Sequence, residues 1–243
     1  YTPAGLTVLQ EFAYDHPFHN GIFAGQHPVK VNGRMGNFWA MPPRRSEEDA
    51  IFTGVGRMEA SGKLTVEPYD RGVHFTMKCV WRDENEEPML DEIRIVNFQA
   101  LNDATICDVT SQKIAVYGDV EFPQTKYGSI GIRVEPRLLP TLGGVIIADE
   151  GRRGQPDIVH ECESDFVAYE NQLPGGQRFG VMLSIPDEGM RGPWFIRDYG
   201  MAMYNPTWTQ SIHTPKGQSW TISLRVVAYD GVLTQERVEK WLK

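Results

Sequence analysis

Val73-His74-Phe75-Thr76-Met77-Lys78-Cys79-Val80-Trp81 alternates with a period of two. Val73, Phe75, Met77, Cys79 and Trp81 fall on one face, and His74, Thr76, Lys78 and Val80 on the other. That is the pattern of a strand with one face against a core. Trp220, Ile222, Leu224, Val226 and Ala228 repeat it near the C-terminus. Shorter runs do so at Ile93-Arg94-Ile95-Val96, Val145-Ile146-Ile147-Ala148 and around Val181, Leu183 and Ile185. Turn signals stand between the runs, at Ser61-Gly62, Asp83-Glu84-Asn85, Asn102-Asp103, Pro174-Gly175-Gly176 and Pro215-Lys216-Gly217. Many strands with regular turns predict an all-β, single-domain antiparallel β-sandwich over residues 1–243. One short helix is expected at the C-terminus. Thr234 caps it, Val238, Trp241 and Leu242 share a face, and Leu233 staples against Val238.

Composition narrows the functional classes. The chain is 41% hydrophobic and 23% charged, an ordinary globular balance without a disordered tract. A net charge of −8, with only the short basic runs Arg44-Arg45 and Arg152-Arg153, argues against a nucleic-acid partner. No apolar run approaches the roughly 18–20 residues that span a bilayer, so no membrane partner is expected. Cys79, Cys107 and Cys162 form no CxxC or Cys-His spacing, which argues against a disulfide framework and favours a reducing, cytoplasmic setting. The opening at Tyr1 fits a trimmed or processed start. There is no GxSxG elbow, phosphate-cradling glycine loop or dinucleotide fingerprint.

Four segments carry candidate chemistry. Asp15-His16-Pro17-Phe18-His19-Asn20-Gly21 puts two imidazoles on a stiff, irregular stretch. His16 and His19 read as an acid–base pair or as ligands of a divalent metal. They read equally as loop histidines that satisfy backbone groups. Thr125-Lys126-Tyr127-Gly128, followed by Arg133, brings two cations around a strand, either to hold an anionic oxygen or as solvated surface charges. His160-Glu161-Cys162-Glu163-Ser164-Asp165 invites a metal reading, a histidine among carboxylates, but neighbours on a strand point to opposite faces, so an acidic, solvated edge strand is the preferred reading. Gly192 to Gly200, closing on Tyr204-Asn205-Pro206-Thr207-Trp208, mixes aromatics with Arg197, Asp198 and Asn205, as a sugar-binding wall does. The aromatics are also plausible core.

Asp-His-Pro-x-His (Asp15 to His19), Thr-Lys-x-Gly-x-x-Gly-x-Arg (Thr125 to Arg133) and Trp-x-x-Arg-Asp-Tyr-Gly (Trp194 to Gly200) with Asn205-Pro206 occur here in that order. In order and spacing they resemble the bacterial family catalogued as "methane oxygenase PmoA-like", over most of the chain. The resemblance implies a β-sandwich similar to mutarotase-like supersandwiches, in settings of sugar degradation.

The expected function is that of a carbohydrate-active enzyme. It would be a lyase or hydrolase acting on an oxidised (keto) sugar or glycoside, through histidine acid–base or metal-assisted chemistry. The alternatives are a mutarotase- or epimerase-like isomerase and a non-catalytic sugar-binding sandwich. His16, His19 and Lys126 are the candidate catalytic residues, and His16 and His19 also the candidate metal ligands. Arg133, Arg197, Asn205 and Trp39 are the candidate substrate contacts. The expected partner is a small-molecule sugar or glycoside, with a homo-oligomer or a partner subunit as a further option.

Overall fold

In the computed structural model, residues 1–13, 17–40, 54–187 and 190–243 are described. The alternating segments form the strands their pattern predicts. Gly72–Arg82 buries Cys79 and Trp81, and Ser219–Asp230 buries Ile222, Leu224, Val226 and Ala228. Both belong to a nine-stranded sheet. Its order is Arg153–Gly154, Val145–Ala148, Phe166–Gln172, Arg178–Ser184, Ser219–Asp230, Ala104–Ile114, Pro88–Ala100, Gly72–Arg82 and Arg57–Tyr69. Its ladders are antiparallel throughout.

Two four-stranded sheets pack on it. One runs Ile22–Gln26, Gly128–Arg133, Met201–Tyr204, Trp194–Ile196. Its inward residues Ile130, Ile132, Ala202 and Trp194 share the largest core with Val167, Val181, Leu183 and Leu224 of the long sheet. This is the expected sandwich, two sheets joined by the apolar faces that period-two alternation creates. The other small sheet runs Ile212–Thr214, Val120–Phe122, Val29–Val31, Arg34–Gly36. Its Val29, Val31, Val120 and Phe122 close a second core around Trp81, Met89 and Leu90.

One turn signal is carried differently. Ser61-Gly62 lies within the strand Arg57–Tyr69, where the pairing with Gly72–Arg82 shifts register between Ser61 and Thr65. Gly62 takes φ +87° there, so the glycine serves a bulge instead of a chain reversal. The reversal comes at Asp70-Arg71, between the paired residues Tyr69 and Gly72. Arg71, the second residue of the turn, takes φ 59°, in the left-handed region.

The helix Gln235–Leu242 covers the far side of the long sheet. The Thr234 side chain accepts the Arg237 N–H, the cap its sequence predicts. Val238 and Trp241 are buried with Ala168, Met182, Val227 and Leu233. The Arg237 guanidinium lies 4.6 Å over the Trp241 ring and 5.2 Å over Tyr229. Among the described residues, no helix is long and apolar enough to cross a membrane. Replacing Trp241 by Ala removes the helix's main anchor and should cost about 3–5 kcal/mol in urea unfolding. A loss under about 1 kcal/mol would mean that the helix only decorates the sheet.

Candidate functional site

The site grows from the outer face of the sheet that contains Gly128–Arg133. With Ile130, Ile132 and Ala202 turned into the core, alternation turns Phe23, Gly131, Met201, Met203 and Phe195 the other way. Gly25 leaves that face bare. A Cβ on it would stand 2.7 Å from the Phe38 carbonyl and 3.5 Å from the Trp39 ring. The Phe38-Trp39 segment therefore lies directly on the sheet, with the Phe38 N–H donating to the Gln26 carbonyl at 2.9 Å. Trp39 completes an apolar patch with Phe23, Met201 and Met203.

Beneath the patch runs a buried polar chain. Ser129 Oγ donates to Gln26 Oε1 at 2.6 Å, and Gln26 Nε2 donates to Thr207 Oγ1 at 3.1 Å. Thr207 Oγ1 donates to Asn205 Oδ1 at 2.7 Å, and Asn205 Nδ2 donates to the Thr125 carbonyl at 2.9 Å. Each buried polar atom on this path has a partner, so the chain locks its loops at little desolvation cost. It fixes two of them: the turn Pro206–Trp208, which presents Trp208, and Thr125, next to Lys126 and Tyr127. The expectation that Asn205 contacts substrate is corrected here. Its side chain is 0% exposed and is committed to Thr125 and Thr207, which makes it a positioning residue.

Residues 160–165 form no edge strand. Pro156–Ile158 is a 3₁₀ turn, and the chain continues through turns to Ser164. The Glu161 N–H donates to the Trp194 carbonyl at 2.8 Å, and the Trp194 N–H to the Cys162 carbonyl at 3.1 Å. Glu161 takes φ 63°, in the left-handed region that few non-glycine residues occupy. His160 Nδ1 accepts the Ile196 N–H at 3.2 Å, which places the ring proton on Nε2. Nε2 lies 3.2 Å from a Glu161 carboxylate oxygen. Burial pushes the His160 imidazole below its ordinary value; Glu161 opposes this and Arg197 adds to it. The ring is therefore neutral at pH 7.

A clamp holds this loop from behind. The Asp149 carboxylate takes hydrogen bonds from Arg152, from Arg191 at 2.5 Å and from the Asp165 N–H at 3.0 Å. Burial alone would raise its pKa, but the bonds from Arg152, the Asp165 amide and Arg191 outweigh burial and hold it down to about 2.

These pieces enclose a cavity of about 300 Å³. Trp39, Tyr127, Phe195, Tyr199 and Trp208 supply aromatic walls, and Lys126, Arg197, His160 and Glu161 the charged and polar groups. The His160 ring meets Phe195 edge-on, with centroids 5.0 Å apart. Three of the sequence candidates, Trp39, Lys126 and Arg197, thus converge on one cavity. Arg133 does not line it. It is 2% exposed, donates to Gln10 Oε1 at 3.2 Å and lies 4.7 Å under the Tyr199 ring, so it supports that wall from below. His19 lies behind Trp39. It is 3% exposed, with ring centroids 4.2 Å from Trp39 and 4.6 Å from Phe23, so it packs the tryptophan instead of facing this cavity. His16 lies outside the described residues. Among those residues, no three His, Cys, Asp or Glu side chains gather as a metal-binding group.

His160 and Glu161 are the cavity residues that the edge-strand reading set aside. Pro156-Asp157, a proline and a carboxylate opening a short turn, was the local signal against a strand.

The fold and cavity define an antiparallel β-sandwich protein with a site of small-molecule size on an outer sheet face. By sequence, the chain belongs to a family of unknown function (DUF6807), which it matches over residues 1–243. No curated protein sequence matches it. One solved structure, from Escherichia coli K12 and provisionally described as an aldose 1-epimerase, is similar over 88% of this chain and 84% of that one. The TM-score is 0.39 and the identity 10%.

The Asp149 clamp predicts a pH window. A carboxyl held at about 2 when folded stabilises the fold fully above its unfolded value, and that stabilisation is lost as pH falls through about 2. Asp149→Asn should therefore cost about 2 kcal/mol in denaturant titration at pH 7. The gap from the unsubstituted protein should narrow between pH 4 and 2. A gap that stays constant over that range would assign the effect to packing.

Proposed function

We propose that the cavity is the substrate site of a carbohydrate-active enzyme of the mutarotase or epimerase type, which moves protons on a sugar without net bond cleavage. The observation that carries this reading is the His160–Glu161 pair, 3.2 Å apart, on the rim of a cavity walled by aromatic rings. A pyranose has an apolar C–H face and a polar hydroxyl edge. Trp39, Phe195 and Trp208 suit the face, and the polar groups suit the edge.

Ring opening at an anomeric carbon needs a base for the hydroxyl proton and a donor for the ring oxygen. Glu161, half-exposed and free to turn, is the base. As it takes the hydroxyl proton, the oxygen's electron pair forms the carbonyl, and the bond from carbon to the ring oxygen breaks. The departing pair stays on the ring oxygen, where His160 Nε2–H donates a hydrogen bond to it. The protonated Glu161 then returns its proton to that oxygen. His160 acts here as a neutral electrophile, because the Ile196 N–H occupies Nδ1 and burial disfavours the imidazolium.

Lys126 and Arg197 on the same cavity favour a second reading, the keto-sugar lyase. In that case Glu161 removes a proton next to a carbonyl, a cation holds the enolate oxygen, and collapse of the enolate breaks the bond to the β-oxygen substituent, which leaves with the proton from Glu161. The readouts separate the two: anomer exchange by NMR for the first, an unsaturated product by ultraviolet absorbance for the second.

With fresh single anomers of a sugar panel, the protein should speed interconversion, and Glu161→Gln should lose about 100-fold or more. The pH–rate profile should show no inflection at the ordinary histidine value of 6.5. An unchanged rate in Glu161→Gln would remove this residue as the base. Sugar binding without turnover of either kind would leave the binding-module alternative.

A further inference from the structure

We propose that the sugar taken by this site is acidic, a monosaccharide carrying a carboxylate, with Lys126 and Arg197 as its receptor. This rests on the sugar reading above and names the substrate class within it.

The argument starts from what the arginines do elsewhere. Arg34, Arg57, Arg82, Arg94, Arg152, Arg191 and Arg225 all pair with carboxylates, and Arg237 donates to backbone carbonyls. Among the described residues, Arg197 is the arginine whose side chain has no hydrogen bond and no ion pair. Its guanidinium lies 5.8 Å from the Phe195 ring and 5.9 Å from Tyr199, two walls of the cavity. Asp198, the carboxylate next in sequence, forms no ion pair with it. Lys126 is in the same situation. Its ammonium sits 5.2 Å from the Tyr127 ring and has no carboxylate partner among the described residues.

Two cations without a carboxylate partner among the described residues thus line one cavity. Glu161 offsets one of them, and His160 is neutral, so the cavity carries one net positive charge. That balance suits a monoanion. A phosphate monoester, near −2 at neutral pH, would exceed it. The planar fork of Arg197 matches a carboxylate in two-point contact.

The test compares D-glucuronate and D-galacturonate with their methyl esters, with D-glucose and with glucose 6-phosphate, by calorimetry on the whole chain. Each uronate should bind roughly tenfold more tightly than its methyl ester, an advantage that weakens with added salt. In Lys126→Gln/Arg197→Gln that ratio should fall to about one, and in Arg197→Lys it should partly return. Both side chains are exposed, so an unchanged melting temperature will show that the fold is intact. Equal binding of acid and ester overturns the carboxylate proposal and leaves the sugar reading standing. Preference for the phosphate ester also overturns it, in favour of a phosphorylated sugar. Failure of every sugar to bind overturns the sugar reading and this proposal with it.

Discussion

The constraint on which the site depends is the burial of one face of the sheet that contains Gly128–Arg133. Ile130 and Ile132 are fully enclosed against Val181, Leu183 and Leu224 of the long sheet. A slip of one residue would place both in the outer patch and drive Arg133 into an apolar core. Register is therefore fixed by a large hydrophobic penalty, and the outer face inherits it. The bare Gly25, the methionines beneath Trp39 and the position of Arg133 under Tyr199 all follow from that choice. The core sets where the chemistry stands.

On this foundation the cavity is assembled from separate parts of the chain, each held by a different force. Trp39 is held by close backbone approach at Gly25, and Lys126 and Trp208 by the buried polar chain from Ser129 to Thr125. His160 and Glu161 are held by backbone bonds to Trp194 and Ile196, with the ionic clamp at Asp149 behind them. Such a division lets the walls be rigid while the charged groups at the rim remain exposed to incoming ligand.

How much of this was legible in the sequence depended on range. The strands at Gly72–Arg82 and Ser219–Asp230 were legible because period-two burial is a local signal, and the Thr234 cap because a cap lies within one turn of what it binds. Trp39, Lys126 and Arg197 were found as types of residue suited to sugar, though nothing local said that they meet. His160 was seen in the sequence but set on an edge strand, because its placement comes from Ile196, 36 residues away. His19 meets Trp39 and Phe23, which the sheet brings to it, and so stands apart from the cavity that holds Lys126 and Arg197. Asn205 was taken for a ligand contact, although an Asn before Pro206 is also the sequence mark of a capped turn, which is how the structure uses it.

The bulge in Arg57–Tyr69 bears on what the molecule avoids. Among the described residues the nine-stranded sheet ends in two edge strands, and an unpaired edge is a template on which a foreign chain can extend the ladder into a fibril. One edge is only the two residues Arg153–Gly154, too short to seed growth. The other is thirteen residues long and exposes Leu64 and Val66. It breaks its own ladder at Gly62 and sets Lys63 and Glu67 in solvent, and Pro68 offers no N–H. The irregularity at Gly62 is of the kind that blunts an edge strand against such pairing.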